Sequence, residues 1–233
     1  MNFDFNEEQT MIMDGIARYI REEYDFDRRR SIIESDSAYS DDVWRQFSEL
    51  GWLSIPFDES YGGFGGHADD LAGVMLELGK GLIIEPYMST VVVFGSLLNA
   101  SNNDLLKEQL IPRIINGQYK GSFAYAEEQS RFEISDVKTS AQKCGDGYKL
   151  NGTKIAVIDA KESDGLIVTA RTGGSQYGAE GISLFLVDTS AEGVAVSSYN
   201  TMDSHSSSTI NLENVFVTEA NLIVDEGEGF RHI

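Results

Sequence analysis

A second cysteine is missing from this chain. Cys144 stands alone, so an intrachain disulfide is excluded, and the usage suits a reducing compartment. Beside the Asp-Gly of a predicted turn, Cys144 reads as a small hydrophobe rather than a nucleophile. Histidine is scarce as well. His67, His205 and His232 lie far apart, with no HExxH or Cys/His spacing, so no metal site is expected. Basic residues are outnumbered, 18 against 38 acids, and the formal charge is -20. That balance argues against a nucleic-acid backbone as partner and for a solvated acidic surface. An anionic ligand would need local basic residues or backbone N–H groups to overcome the field. The richest apolar patch, 91–98, is far too short for a membrane span. No basic region followed by an apolar one opens the sequence, so no signal peptide is evident, and a cytoplasmic location is expected.

What is present is a change of grammar near residue 121. Across 233 residues the chain can bury a sound core as one large domain or two of ordinary size. Before 121, apolar residues recur at three- and four-residue spacing. Phe3 and Phe5 precede a helix predicted over 7–23 with Ile12, Ile16 and Tyr19 on one face. Residues 24–39 read as a looser connection or a polar-faced helix. Ser40 caps the next helix, which turns Val43, Phe47 and Leu50 inward and stops at Gly51. The glycines at 62, 63, 65 and 66 do not form a GxGxxG fingerprint and follow no strand, so they mark a tight turn. Helical spacing resumes over 69–78. Residues 86–98 read as a buried helix or an apolar hairpin element. A helix from 103 follows, with Pro112 starting or kinking the next turn before Gly117.

After 121, short β-branched runs alternate with Gly, Asn and Asp. Strands are predicted near 121–126, 138–144, 147–151, 154–158, 165–170, 182–188, 194–198, 208–212 and 214–218, and residues 171–181 form a polar excursion. The expected fold is α + β: an all-α N-terminal helical domain at 1–120, then a small antiparallel β-barrel or sandwich at 121–225. Residues 226–233, where Gly227 and Gly229 introduce something new, read as the start of a further helical domain.

The ordered set GWLSIPFDESYGGFGG (51–66), FAYAEEQ (123–129), LNGTKIAVI (150–158), DSHSSSTINLENVFV (203–217) and EGEGF (226–230) resembles the flavin-dependent acyl-CoA dehydrogenases over the whole chain. The resemblance implies FAD as cofactor and an acyl-CoA thioester as substrate. A carboxylate removes the α proton while hydride leaves the β carbon for flavin N5, so base and ring must sandwich the acyl chain. In that family the base lies in a C-terminal helical bundle. No acid of this sequence is therefore nominated as catalytic, and these 233 residues alone are expected to show no turnover.

The resemblance also assigns a flavin wall. Phe123 takes an aromatic position, Tyr125 precedes the family's threonine, and Ala126 replaces that threonine, losing its hydroxyl and keeping its N–H. Glu127 is expected to make local hydrogen bonds, and Glu128 replaces a proline. Arg131, Phe132 and Glu133 stand where the family has Gly-Ser-Asp. Arg131 and Phe132 thus become the substrate-binding candidates, with Arg131 offering a positive group or serving as an ordinary turn residue. Thr139 keeps the family's place. On the second strand, Ala156 lacks the ring that would cover the flavin and Ile158 lacks a hydroxyl. Phe123 and Tyr125 could instead fill the core, Lys154 reads as a strand-edge charge, and His205 is expected to be exposed.

Two functional readings follow from the resemblance. One is an FAD-dependent dehydrogenase of fatty or steroid side-chain CoA esters, working as a homodimer or homotetramer with an electron-transfer acceptor protein. The other is a non-catalytic subunit of a heteromeric dehydrogenase that completes its partner's FAD and substrate site.

Overall fold

The computed structural model describes residues 4–35, 37 and 39–233, and Phe3 lies outside the described residues. Helix α1, Glu7–Glu23, begins with a reciprocal cap. Asn6 Oδ1 accepts from the Gln9 N–H at 2.8 Å, and Gln9 Oε1 accepts from the Asn6 N–H at 2.9 Å. Asp25 caps α2, Phe26–Ile33, so the charged connection is helical after all. Ser40 caps α3, Asp41–Glu49, and Gly51 ends it at φ 77°, a left-handed conformation suited to glycine. Val43 and Phe47 face inward as expected. Leu50 does not: it is the C-cap and 51% exposed, and Trp44 fills the inward position.

Residues 51–66 make two short 3-10 turns that lead into α4, Ala68–Lys80. The apolar 86–98 stretch is helical throughout, a π-helical turn at Met88–Phe94 running into α5, Gly95–Asn99. Pro112 lies inside α6, Asp104–Ile115, where its carbonyl still accepts from the Asn116 N–H at 3.1 Å.

Strands β1 (Gly121–Ala124), β2 (Ser140–Cys144), β3 (Gly147–Ile158), β4 (Gly165–Arg171), β5 (Ile182–Asp188), β6 (Val194–Asn200) and β7 (Ser206–Thr218) build one curled sheet. Its order is β1-β4-β2-β3-β7-β6, with β5 on β4. The expected α + β architecture with a small, largely antiparallel β domain is present, and two parallel pairings qualify it. β1 pairs with β4 in parallel, Gly121 opposite Gly165 through Ala124 opposite Val168, and β2 touches β4 in parallel at Ser140 and Arg171. A parallel pair needs a long crossover, and the intervening β2–β3 hairpin supplies it. The predicted 147–151 and 154–158 strands are one strand, as are 208–212 and 214–218. At the predicted break between the first two, Asn151-Gly152 is an irregularity in the β3–β7 register, and Asn151 Oδ1 accepts from the Asn214 N–H at 2.8 Å. The expected hairpin turn stands at Gly145-Asp146, closed by the Cys144–Gly147 pair.

Two cores result. One fills the helical half and continues across Ile167, Leu184, Leu186, Ile223 and Val224, so the two halves share an apolar joint. The other lies inside the curled sheet. Polar pins cross the joint. The Thr90 hydroxyl bonds both the N–H and the carbonyl of Gly121 at 3.2 Å, and Asn103 Nδ2 donates to the carbonyls of Ala220 and Leu222.

Glu85, between α4 and the π-helical turn, is buried with one carboxylate oxygen lacking a partner among the described residues. Its other oxygen meets the Ser40 N–H at 3.4 Å. Burial pushes its pKa up from the ordinary 4.5, so the folded state holds this proton more tightly than the unfolded chain does. The stabilisation it contributes is complete below pH 4.5 and is lost as pH rises through the elevated value. Glu85→Gln is therefore expected to raise the thermal midpoint at pH 7 and to flatten this decline. A midpoint-versus-pH series identical to that of the native chain would refute it.

Candidate functional site

The end of β1, the end of β3 and the π-helical turn converge on a cleft of about 220 Å³. Met88, Ser89 and Val93 come from the helical side, and Phe123, Tyr125, Ala156 and Ile158 from the sheet side. Phe123 and Tyr125, two residues apart on one strand face, stack with centroids 5.2 Å apart and planes 23° apart. The same pair walls a second cleft of about 400 Å³ with Ile134 and His232. β3 reaches the cleft through backbone strain. Ala156 and Asp159 hold φ of 52° and 56°, a left-handed conformation that is costly for residues with a Cβ. Around them Val157 points into the core while Ile158 is half exposed at the cleft.

The structure thus gathers Phe123, Tyr125, Ala156 and Ile158, and sets Ala126 half-buried beside them. The Ala126 carbonyl accepts from the Ile155 N–H at 2.9 Å, while its own N–H has no partner among the described residues. Arg131 and Phe132 lie apart. They occupy an outer turn, Arg131 at φ 50° and Phe132 fully exposed, and neither lines the cleft.

Behind the aromatic wall sits a group that sequence reasoning misplaced. Lys154 is not an edge charge but wholly buried. Its Nζ donates to Glu127 Oε1 and Thr169 Oγ1, both at 2.7 Å, and to the Tyr125 carbonyl at 3.3 Å. Glu127 makes the expected local bonds, accepting from the N–H groups of Thr139 and Lys138 and from Gln129 Nε2. Burial alone would raise the Glu127 carboxyl, but the Lys154 ammonium outweighs it and holds the pKa down at about 2. Burial likewise pushes Lys154 down, to about 8, against the pull of Glu127. At neutral pH the pair is ionised, and Glu127 is not available as a base.

His205 is half-buried rather than exposed. Its Nδ1 lies 3.9 Å from Asp159 Oδ1, too far for a hydrogen bond, yet the carboxylate's charge raises the imidazole pKa against the opposing effect of burial. Asp159 Oδ2 accepts from Ser89 Oγ at 2.6 Å. Arg29 ties this loop to the helical half, donating to the carbonyls of Leu82 at 2.7 Å and Asp203 at 3.1 Å. No motif in the sequence announces this cluster, because its members lie on three elements far apart in the chain.

Stacked rings, the small Ala156 and one unpaired N–H at the rim fit a flat ring system with an acceptor on its edge, which is the chemistry of a flavin. Among the described residues no group of three or more His, Cys, Asp or Glu is placed to hold a metal ion, and no helix is long and apolar enough to cross a membrane.

Comparison with known proteins bears on the family and the fold. The family model for the acyl-CoA dehydrogenase N-terminal domain matches residues 6–118, and that for the middle domain matches residues 122–215. The probable acyl-CoA dehydrogenase YngJ of Bacillus subtilis (strain 168) is 30% identical, covering 99% of this chain and 62% of its own length. The mitochondrial isovaleryl-CoA dehydrogenase of Pongo abelii is 28% identical over 96% of this chain and 54% of its own. Among solved structures, one titled as the electron transferring flavoprotein of Acidaminococcus fermentans superposes with a TM-score of 0.86 at 27% identity, covering 100% of this chain and 62% of that one. The ChsE4-ChsE5 complex of Mycobacterium tuberculosis shares the fold, with a TM-score of 0.87 at 24% identity over 100% of this chain and 60% of that one. The chain spans less than two thirds of the length of each of these relatives.

Proposed function

The chain belongs to the acyl-CoA dehydrogenase family, spanning its N-terminal and middle domains, and on that premise we propose that it is a partner subunit whose cleft forms one wall of an FAD and acyl-CoA site in a heteromeric dehydrogenase. The observation that carries this is the lining. The three positions at which the family resemblance calls for polar or ring contacts to the flavin, Ala156 and Ile158 in the lining and Ala126 beside it, offer only aliphatic carbon and backbone. The acids nearest the cleft, Glu127 and Asp159, are both bonded already. FAD, when bound, supplies the hydride acceptor for α,β-dehydrogenation. Phe123 and Tyr125 give a flat apolar face that excludes water, and the Ala126 N–H is the donor for an acceptor on the ring edge. Lys154 steadies this wall through the Tyr125 carbonyl. The fold shared with a two-component complex agrees with this role.

The test is the visible spectrum of the protein purified alone and together with a co-encoded acyl-CoA dehydrogenase subunit. Alone it should be colourless. With its partner it should be yellow, and acyl-CoA should bleach it. A yellow protein that bleaches by itself overturns the proposal in favour of a self-sufficient dehydrogenase, a reading favoured by the unpaired Ala126 N–H, through which flavin could bind by backbone contacts alone. An electron-transfer acceptor protein would then be needed to reoxidise it.

A further inference from the structure

Besides the exposed Tyr125 phenol, the cleft lining offers one hydroxyl, that of Ser89, which is 5% exposed. A serine hydroxyl has one proton to give and two lone pairs. The proton has two takers, Asp159 Oδ2 at 2.6 Å and the Pro86 carbonyl at 3.2 Å, and the nearer, charged oxygen holds it. The lone pairs have no donor among the described residues, so Ser89 meets the cleft as an acceptor. Here the free lone pairs border a cleft of about 220 Å³, room for a small single-ring molecule.

The geometry around Asp159 keeps this polarity fixed. Its backbone is held left-handed at φ 56°, with its N–H donating to the Ser206 carbonyl at 3.0 Å and its carbonyl accepting from Ser163 Oγ at 2.9 Å. His205 faces the second carboxylate oxygen from the β6–β7 loop, with Asp203 on that loop and Arg29 on α2 as the other charges close to the imidazole. Strain of this kind persists where the surroundings over-determine it, and it gathers at sites that act on ligands.

We propose that Ser89 is the polar anchor of the cleft, selecting a ligand that presents an O–H or N–H donor from an otherwise apolar ring or chain, with Asp159 as its positioning residue. The selectivity goes beyond the subunit role above and can be tested without flavin or thioester. Phenol and toluene are near in shape and differ in the donor, and both are small enough to be titrated against the cleft resonances by NMR. Ser89→Ala should weaken phenol roughly fivefold to tenfold, the worth of one hydrogen bond, and leave toluene within about twofold. Asp159→Asn, whose amide can donate to Ser89 and occupy a lone pair, should likewise weaken phenol selectively while the chain stays folded. Equal changes for both probes, phenol binding indifferent to both substitutions, or no perturbation of cleft resonances by either probe would each overturn the proposal.

Discussion

Lys154→Met should destabilise the chain by about 3–5 kcal/mol, because it leaves the Glu127 carboxylate buried without its counter-charge. Glu127 is 3% exposed and Lys154 0%, so water cannot replace the lost partner. The methionine fills much of the lysine's volume, and packing loss is the smaller part of the effect. Adding Glu127→Gln to Lys154→Met should recover a good share, since the amide oxygen still accepts one of the N–H bonds of Lys138 and Thr139 and no charge remains. Urea denaturation of the two variants separates these outcomes, and a single-mutant loss below about 1 kcal/mol would show the pair to be solvated. Acid provides a second signature. Glu127 titrates at about 2 in the folded chain against an ordinary 4.5, so its stabilisation is complete above pH 4.5 and drains away as pH falls toward 2. Lys154→Met should abolish that slope.

Arg171→Lys should cost nearly as much as Arg171→Ala, about 3 kcal/mol, although the charge is kept. The guanidinium gathers carbonyls from two loops. Nε donates to Val137 at 3.0 Å, Nη1 to Glu180 at 3.0 Å and Gly173 at 3.4 Å, and Nη2 to Ser135, Gln176 and Gly178 at 2.9, 2.9 and 3.1 Å. A lysine has three donors on one atom and cannot span this fan. Bonds to charged donors are worth roughly 1.5–3 kcal/mol each, but the six share one side chain and do not add. Hydrogen exchange should locate the damage: the Thr172 and Gly181 amides, which bond the Gly181 and Gly227 carbonyls, should lose protection while β3 amides keep theirs. A lysine variant within about 1 kcal/mol of native would reduce the fan to packing.

Much of this fold could be read from the residues. Capping at Ser40, the stop at Gly51 and the Gly145-Asp146 turn are local events, decided by side chains a few positions apart. The ordered motifs placed Phe123, Tyr125, Ala156 and Ile158 on two strands, and the cleft unites them. What stayed hidden depended on register. The irregularity at Asn151-Gly152 and the left-handed Ala156 break the alternation that tells inside from outside, so Lys154 looked like a surface charge when it is buried. Parallel pairing of β1 with β4 is a long-range event that no local pattern encodes. Asp159 and His205 are joined only by the fold, and the DSH of residues 203–205 carries no mark of it.

The cleft belongs to neither half of the chain. Its Met88 and Ser89 side is helical and its Phe123 and Ile158 side is sheet, and the Ser89–Asp159 bond spans the seam between them. A molecule seated there touches both, so it binds the docked arrangement and not the separated one. By mass action, ligand at a hundred times its dissociation constant would strengthen the docked form by about 2.7 kcal/mol. Occupancy of the cleft is thus a clamp on interdomain cohesion: the ligand acts as mortar along one edge of the seam, beside the apolar joint that already holds the two walls.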